Sequence, residues 1–148
     1  MLGVDFGARR IGVAVSEGRV AVPLAIIEHE NRERDLEQVA AMARERDVAV
    51  VVVGVPLLES GAEGEQARRT RRFGDALARR LAVSVVYQDE RFSSARAEDA
   101  VADADVARER CPQSRAKRRI DDAAAAMILQ AYIDARAVAA DAARRAEA

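Results

Sequence analysis

Three acidic positions stand apart from the other carboxylates of the chain by their surroundings. Asp5 ends a short apolar run in "VDFGARRIGVAVS", ahead of a glycine and an arginine pair; Glu90 lies in "DERFSS"; Asp121 and Asp122 fall in "RRIDDAAAAMIL". An ionised carboxylate between Val4 and Phe6 costs free energy unless a partner offsets it. Two of the three positions have an ordinary use when taken singly. Glu90 could pair with Arg91 or cap a following helix, and Asp121 or Asp122 could complement the positive end of a helix. Asp5, at a strand end beside a glycine, has no such duty. Brought together, the three make a hard-oxygen donor set without histidine or cysteine, which suits Mg²⁺ or Mn²⁺. Two such ions about 4 Å apart activate a water and stabilise the leaving oxygen in phosphodiester hydrolysis.

For that chemistry the fold must carry all three to one place. Residues 2–6 and 11–16 read as strands joined by a Gly7–Arg10 hairpin, and residues 20–27 as a third strand whose Pro23 demands a sheet edge or a bulge. Leu36, Val39, Ala40 and Ala43 recur at helical spacing opposite Glu33, Glu37 and Arg44, predicting an amphipathic helix over about 31–46. The β-branched run "VAVVVV" at 48–53, bounded by "GVP", suits a strand covered on both faces and parallel to the first. A second helix over 63–81 presents Phe73, Leu77 and Leu81, and "VSVVY" at 83–87 reads as a fifth strand. A further helix is expected from near Ser94, and irregular chain around 104–117, where Cys111-Pro112 interrupts. The last helix is expected over about 119–136, burying Ala124, Met127, Ile128, Ala131 and Tyr132.

These elements make a mixed α/β sheet with helices on its faces. Parallel first and fifth strands end on one sheet edge, where open α/β sheets place their sites, and the last helix packed across the sheet brings Asp121 there. One domain is expected over 1–137, with 138–148 as a tail that is either a helical extension or disordered. A chain of 148 residues suits one core of ordinary size.

Charge narrows the partners. With 24 basic and 25 acidic residues the net charge is −1, so any basic surface is local. Arg9 and Arg10 lie beside Asp5, Arg91 beside Glu90, and Arg115, Lys117, Arg118 and Arg119 just ahead of Asp121. Cations flanking acids suit phosphates held around a negatively charged metal site. Arg68, Arg69, Arg71 and Arg72 add a further cluster at the start of the second helix, to be read either as phosphate contacts or as a solvated face. His29, the only histidine, is expected at the surface rather than as a ligand. Cys111 is the only cysteine, which excludes an internal disulfide and a cysteine-built metal site and points to the cytoplasm. No apolar run is read as membrane-spanning, and no membrane partner is expected.

The stretches "GVDFGARRIGVAVS", "GVPLLESGAEG", "DERFSS" and "IDDAAAAMILQAYID" resemble, in that order, the signature blocks of the YqgF/RuvX family of pre-16S rRNA nucleases, formerly called Holliday junction resolvases. The resemblance implies a ribonuclease H-like fold, a five-stranded mixed sheet with helices on both faces, and metal-dependent nuclease chemistry with Mg²⁺ or Mn²⁺. Its acidic positions fall on Asp5, Glu90 and Asp121, with Asp122 one place beyond. Leu58 stands where family members often carry a polar residue, and Ser94 where they carry threonine. Related nucleases place an acid at the end of the fourth strand; here that position reads Val55-Pro56-Leu57, so Glu90 must substitute.

The expected partner is nucleic acid, with RNA favoured and branched DNA the alternative, and the expected state a monomer or weak homodimer. A junction resolvase needs two sites in fixed relation, and no self-complementary interface is evident in the sequence. A non-catalytic RNA-binding factor in ribosome assembly is the rival from another class. The sugar-kinase and actin-like ATPases share the aspartate-glycine hairpin, but they need a second domain to close over the nucleotide.

Overall fold

The computed structural model describes residues 1–91 and 113–146, with 113–122 as backbone alone. Its sheet contains β1 (Leu2–Phe6), β2 (Arg10–Glu17), β3 (Val20–Glu28), β4 (Val50–Val55) and β5 (Ser84–Asp89). The strands lie in the order β3-β2-β1-β4-β5. The first three form an antiparallel meander, while β1, β4 and β5 are mutually parallel. The parallel strands are joined through α1 (Arg32–Glu45) and α2 (Glu65–Leu81), and α3 (Gln113–Ala146) completes the described elements.

Each face of the sheet has its own core. Leu2, Val4, Val51 and Val53 point to one side, where Leu36, Val39 and Ala43 of α1 and Phe73 and Leu77 of α2 cover them. Ala14 and Val52 point to the other, under Ala125, Ile128, Leu129 and Ile133 of α3. The alternation in "VVVV" therefore feeds two cores from one strand, as a central parallel strand requires. Asn31 caps α1 by accepting from the Arg34 N–H at 3.0 Å. Pro23 sits on the edge strand β3, next to the register shift between Val13 and Ala14, where its missing N–H costs no ladder bond.

Four expectations are corrected. β4 runs through Gly54 to Val55, so "GVP" lies partly inside the strand rather than beyond it. Residues 113–117, expected as irregular, are helical, because α3 starts directly after Pro112; proline restricts the residue before it and is no obstacle to a helix that begins after it. On α3 the expected Ile128 is buried and Tyr132 packs partly buried beside it, but Ala124, Met127 and Ala131 are only half-buried and Ala125, Leu129 and Ile133 complete the buried face, since almost every position here is apolar or small and periodicity has little contrast to work with. Finally, Ala123–Ala146 is long and apolar enough to cross a membrane by length and composition, although its first turns bury that apolar face on the sheet. Alanine, the best helix former, carries α3 through Ala146 with residues 139–146 exposed. The helix expected near Ser94, and Phe92, lie outside the described residues.

The close seating of α3 depends on Gly3. A Cβ there would stand 2.7 Å from Leu129 Cβ and 2.8 Å from the Ala125 carbonyl oxygen, and the helix backbone cannot swing aside as a flexible side chain would. Gly3→Ala is therefore expected to lower stability by about 1–3 kcal/mol through overpacking. Urea unfolding of the two proteins, with equal m-values, measures it.

Candidate active site

The parallel register decides which side chains share the carboxyl edge. Asp5 is the register partner of Gly54, and Gly54 of Gln88. Paired residues project to the same face, and side chains two apart along a strand do so again. Asp5, Gly54 and Gln88 therefore face α3, and Glu90, two residues beyond Gln88, continues that row. Its backbone N–H donates to the Val55 carbonyl at 3.2 Å, which ties the first residue past β5 to the end of β4.

Gly54 opens the space between the two acids. A Cβ on it would lie 2.7 Å from Glu90 Oε1 and 2.4 Å from Ile128 Cδ1, so a larger residue would displace the Glu90 carboxylate and the Ile128 side chain. The Glu90 carboxylate consequently lies over the end of β4, although its own strand is β5. Nothing in the sequence singles out Gly54 except its place in "GVP"; its importance follows only from the register.

The pair is electrostatically strained. Burial pushes the Glu90 carboxyl up to about 7, and the negative charges of Asp5 and Asp89 push in the same direction. Asp89 is held below the usual carboxylate range by Arg91, whose guanidinium donates to it at 2.6 and 2.9 Å. Arg91 also reaches the Glu59 carbonyl at 3.5 Å. It thus clamps the end of β5 to the loop after β4, a use that its neighbour Glu90 did not suggest.

On the opposite side of Asp5 the hairpin turn forms a cleft lined by Asp5, Ala8, Arg9, Arg10, Gly12 and Ile26. The turn is fastened twice from outside. The Gln66 amide donates to the Phe6 carbonyl at 2.7 Å, and His29 bridges the Gly7 carbonyl and the Asp35 carboxylate, each at 2.9 Å. The expected surface histidine is instead a half-buried brace, because its strand ends beside the hairpin turn.

The other expected residues divide clearly. Arg71 pairs with Glu63 and lies over the Tyr87 ring, and Arg68 donates to the Glu63 carbonyl at 3.0 Å; both serve the start of α2. Arg69 and Arg72 line a separate cleft beside α1. Asp121 and Asp122 belong to the backbone of α3, whose Gln130 contacts the β2–β3 turn while Ile128 lies over Gly54. The helix therefore approaches the Asp5 edge with its earlier turns, and Asp121 sits one turn before Ala125, about 6 Å further toward that edge. The side chains of Asp121 and Asp122, and those of Arg115, Lys117, Arg118 and Arg119, lie outside the described residues. Among the described residues no three His, Cys, Asp or Glu side chains gather to hold a metal ion; Asp5 and Glu90 are the carboxylates brought together at this edge.

The family profile described as "RuvX: Holliday junction resolvase" matches residues 1–135. The chain belongs to this family. Curated RuvX relatives include a protein from Chloroflexus aggregans, 44% identical over 138 residues covering 92% of this chain and 94% of its own length. Another, from Anaeromyxobacter sp., is 43% identical over 91% of this chain and 96% of its own. Both are named as pre-16S rRNA nucleases. Among solved structures, RuvC of T. thermophilus in complex with a Holliday junction substrate superposes with a TM-score of 0.59 at 15% identity, covering 92% of this chain and 95% of its own. The fowlpox virus resolvase with its junction DNA gives 0.52 at 14% identity, over 90% and 96%. The RuvX chain thus has the ribonuclease H-like fold of these resolvases.

The Glu90 environment predicts a stability signature. Its carboxyl titrates higher in the folded chain than in the unfolded one, so the folded state holds the proton more tightly. Metal-free protein therefore loses stability as pH rises from the usual carboxylate range through about 7. Glu90→Gln is expected to remove that loss, and Asp5→Asn to shrink it by removing one of the charges responsible. Melting temperatures in chelator between pH 5 and 8 report both; parallel curves for wild type and Glu90→Gln would refute the assignment.

Proposed function

We propose that the RuvX chain is a metal-dependent nuclease that processes the 5′ end of pre-16S ribosomal RNA in the cytoplasm, with Asp5, Glu90 and Asp121 as its metal-binding carboxylates and Asp122 as a further ligand candidate. The observation that carries this reading is the Asp5–Glu90 pair, packed over Gly54 on the helix-covered face at the carboxyl edge. Two mutually repelling carboxylates, both half-buried, are a costly arrangement for a solvated surface and a suitable one for a divalent cation. Both donors are hard oxygens, and Mg²⁺ is commonly held by one or two carboxylates with water completing its shell. The residues therefore fit Mg²⁺ or Mn²⁺.

A divalent ion held there would supply Lewis-acid stabilisation and an activated water for phosphodiester hydrolysis. The chain supplies the rest. Arg9 and Arg10, in the cleft beside Asp5, are placed to hold the phosphate against two acids that would otherwise repel it. The Gln66 and His29 braces keep the hairpin turn at a fixed distance from the carboxylates. Glu90 must give up its proton before it binds a cation, so cleavage should rise with pH through about 7.

RNA is the favoured substrate because the relatives above 40% identity carry an RNA-processing name, whereas the proteins crystallised on junction DNA share the fold at about 15% identity. The family description supports the second reading, a resolvase acting on branched DNA.

Asp5→Asn is expected to reduce cleavage of a pre-16S RNA fragment by roughly 100-fold or more, the several kcal/mol of charge stabilisation a metal supplies, while leaving the fold intact. Wild type and variant are compared with Mg²⁺, Mn²⁺ or chelator, on RNA and on a four-way junction, with mass in solution recorded. Undiminished cleavage by Asp5→Asn would overturn the site. A tight dimer making paired symmetric cuts in the junction, with RNA left intact, would overturn the substrate.

A further inference from the structure

A second cleft, of about 400 Å³, opens between the start of α1 and the first half of α2. Its floor is apolar: Phe6 stacks on Phe73 at 4.5 Å between ring centroids and meets His29 edge-on at 5.1 Å. Its rim carries Arg32, Arg69 and Arg72. Elsewhere on these two helices Arg34, Arg44, Arg71 and Arg80 each pair with a glutamate. None of the three rim arginines has a carboxylate partner among the described residues, nor do Arg68 and Arg79 elsewhere on α2; what sets the rim apart is that its three guanidinium groups share one cleft, where Arg32 donates to the Arg72 carbonyl at 3.3 Å.

The acids in this cleft are already engaged. Asp35 is 4% exposed and accepts from His29 and from the Glu30 N–H, while Glu30 itself pairs with Arg34. The cleft therefore presents uncompensated positive charge over an apolar floor, next to the positive end of α1.

Position supplies the rest of the argument. Ala8 lines both this cleft and the one beside Asp5, so the exposed hairpin turn is a low saddle between them. A chain lying in the first cleft and leaving over Ala8 enters the second. Phe73 is 2% exposed and the Phe6 ring is stacked on it and met by His29, so the three rim guanidinium groups, which match the sugar-phosphate chain, are the chemistry the cleft presents most openly.

We infer that the Arg32–Arg69–Arg72 cleft is a backbone-phosphate subsite for single-stranded nucleic acid, holding the strand a short way from the phosphodiester cut at Asp5. The inference deepens the nuclease reading, on which its orientation toward Asp5 rests. The contact is sequence-tolerant and electrostatic, and it anchors the strand on the side of the turn away from the carboxylates.

The test uses single-stranded RNA and the full chain in the Asp5→Asn background, with affinity measured against salt. Adding Arg69→Ala and Arg72→Ala is expected to lower the slope of log affinity against log salt by about 1.4 units, 0.7 for each of two phosphate contacts. Arg79→Ala, on α2 outside the cleft, serves as the control and should leave the slope as it was. A strand with one neutral methylphosphonate near the cleavage point should bind the Asp5→Asn protein less well, yet bind the triple variant no less well than the natural strand. With Asp5 restored, the arginine changes should raise KM more than they lower kcat. An unchanged slope and undiminished affinity in the triple variant would overturn the subsite even if cleavage by wild type is robust. Slope loss on removing the two arginines, with a wild-type protein that cuts nothing, would retain the subsite and overturn the nuclease reading instead.

Discussion

Everything at the carboxyl edge depends on the in-register parallel pairing of β1, β4 and β5. That register puts Asp5, Gly54 and Gln88 in one row and carries the row on to Glu90. A slip of one residue in any of these strands would turn its members to the opposite face, into the core beneath α1 and α2. The pairing is protected against such a slip because Val51, Val52 and Val53 are fully buried in two different cores. The packing that stabilises the fold is thus also what holds two like charges together against their repulsion.

The two helical layers divide the work. On one side α1 and α2 contribute large apolar side chains and brace the hairpin turn through His29 and Gln66. On the other, α3 approaches closely enough that Gly3 and Gly54 have no room for a Cβ. Glu90, beside Gly54 and Ile128, is half-buried, and that partial desolvation is the first cause of its raised pKa. The same contact that seats a helix therefore sets the protonation of an acid at the site.

Much of this was legible in the sequence. The strand order of hydrophobic runs, the α1 stripe and the exceptional context of Asp5 are local signals, and local signals survive without coordinates. Glu90 follows β5 in the chain, yet its carboxylate lies over the end of β4, a position that only the register makes visible. The features that were not legible are those defined by partners distant in the chain. The arginine cluster at 68–72 looks uniform as a string, yet Glu63 takes two of its members and the cleft beside α1 takes two others. His29 lacks any ligand pattern because its role depends on Gly7 and Asp35 converging on it. In α3 the sequence is so rich in alanine that no stripe distinguishes the buried face, and the sheet chose it.

The hairpin turn shows how near-neutral total charge and local recognition coexist. With a net charge of −1 the chain has no long-range field to draw in a polyanion, so attraction must come from local groups of cations. Across α1 and α2, Arg34, Arg44, Arg71 and Arg80 are neutralised by glutamates one or two turns away or on the neighbouring helix. Around the saddle at Ala8 that neutralisation stops on its α1–α2 side, while on its other side Arg9 and Arg10 stand beside an acid that a cation would neutralise. The α1–α2 side of the saddle therefore carries a local basic rim beside paired neighbours, so a polyanion would meet positive charge there rather than a field of the whole chain.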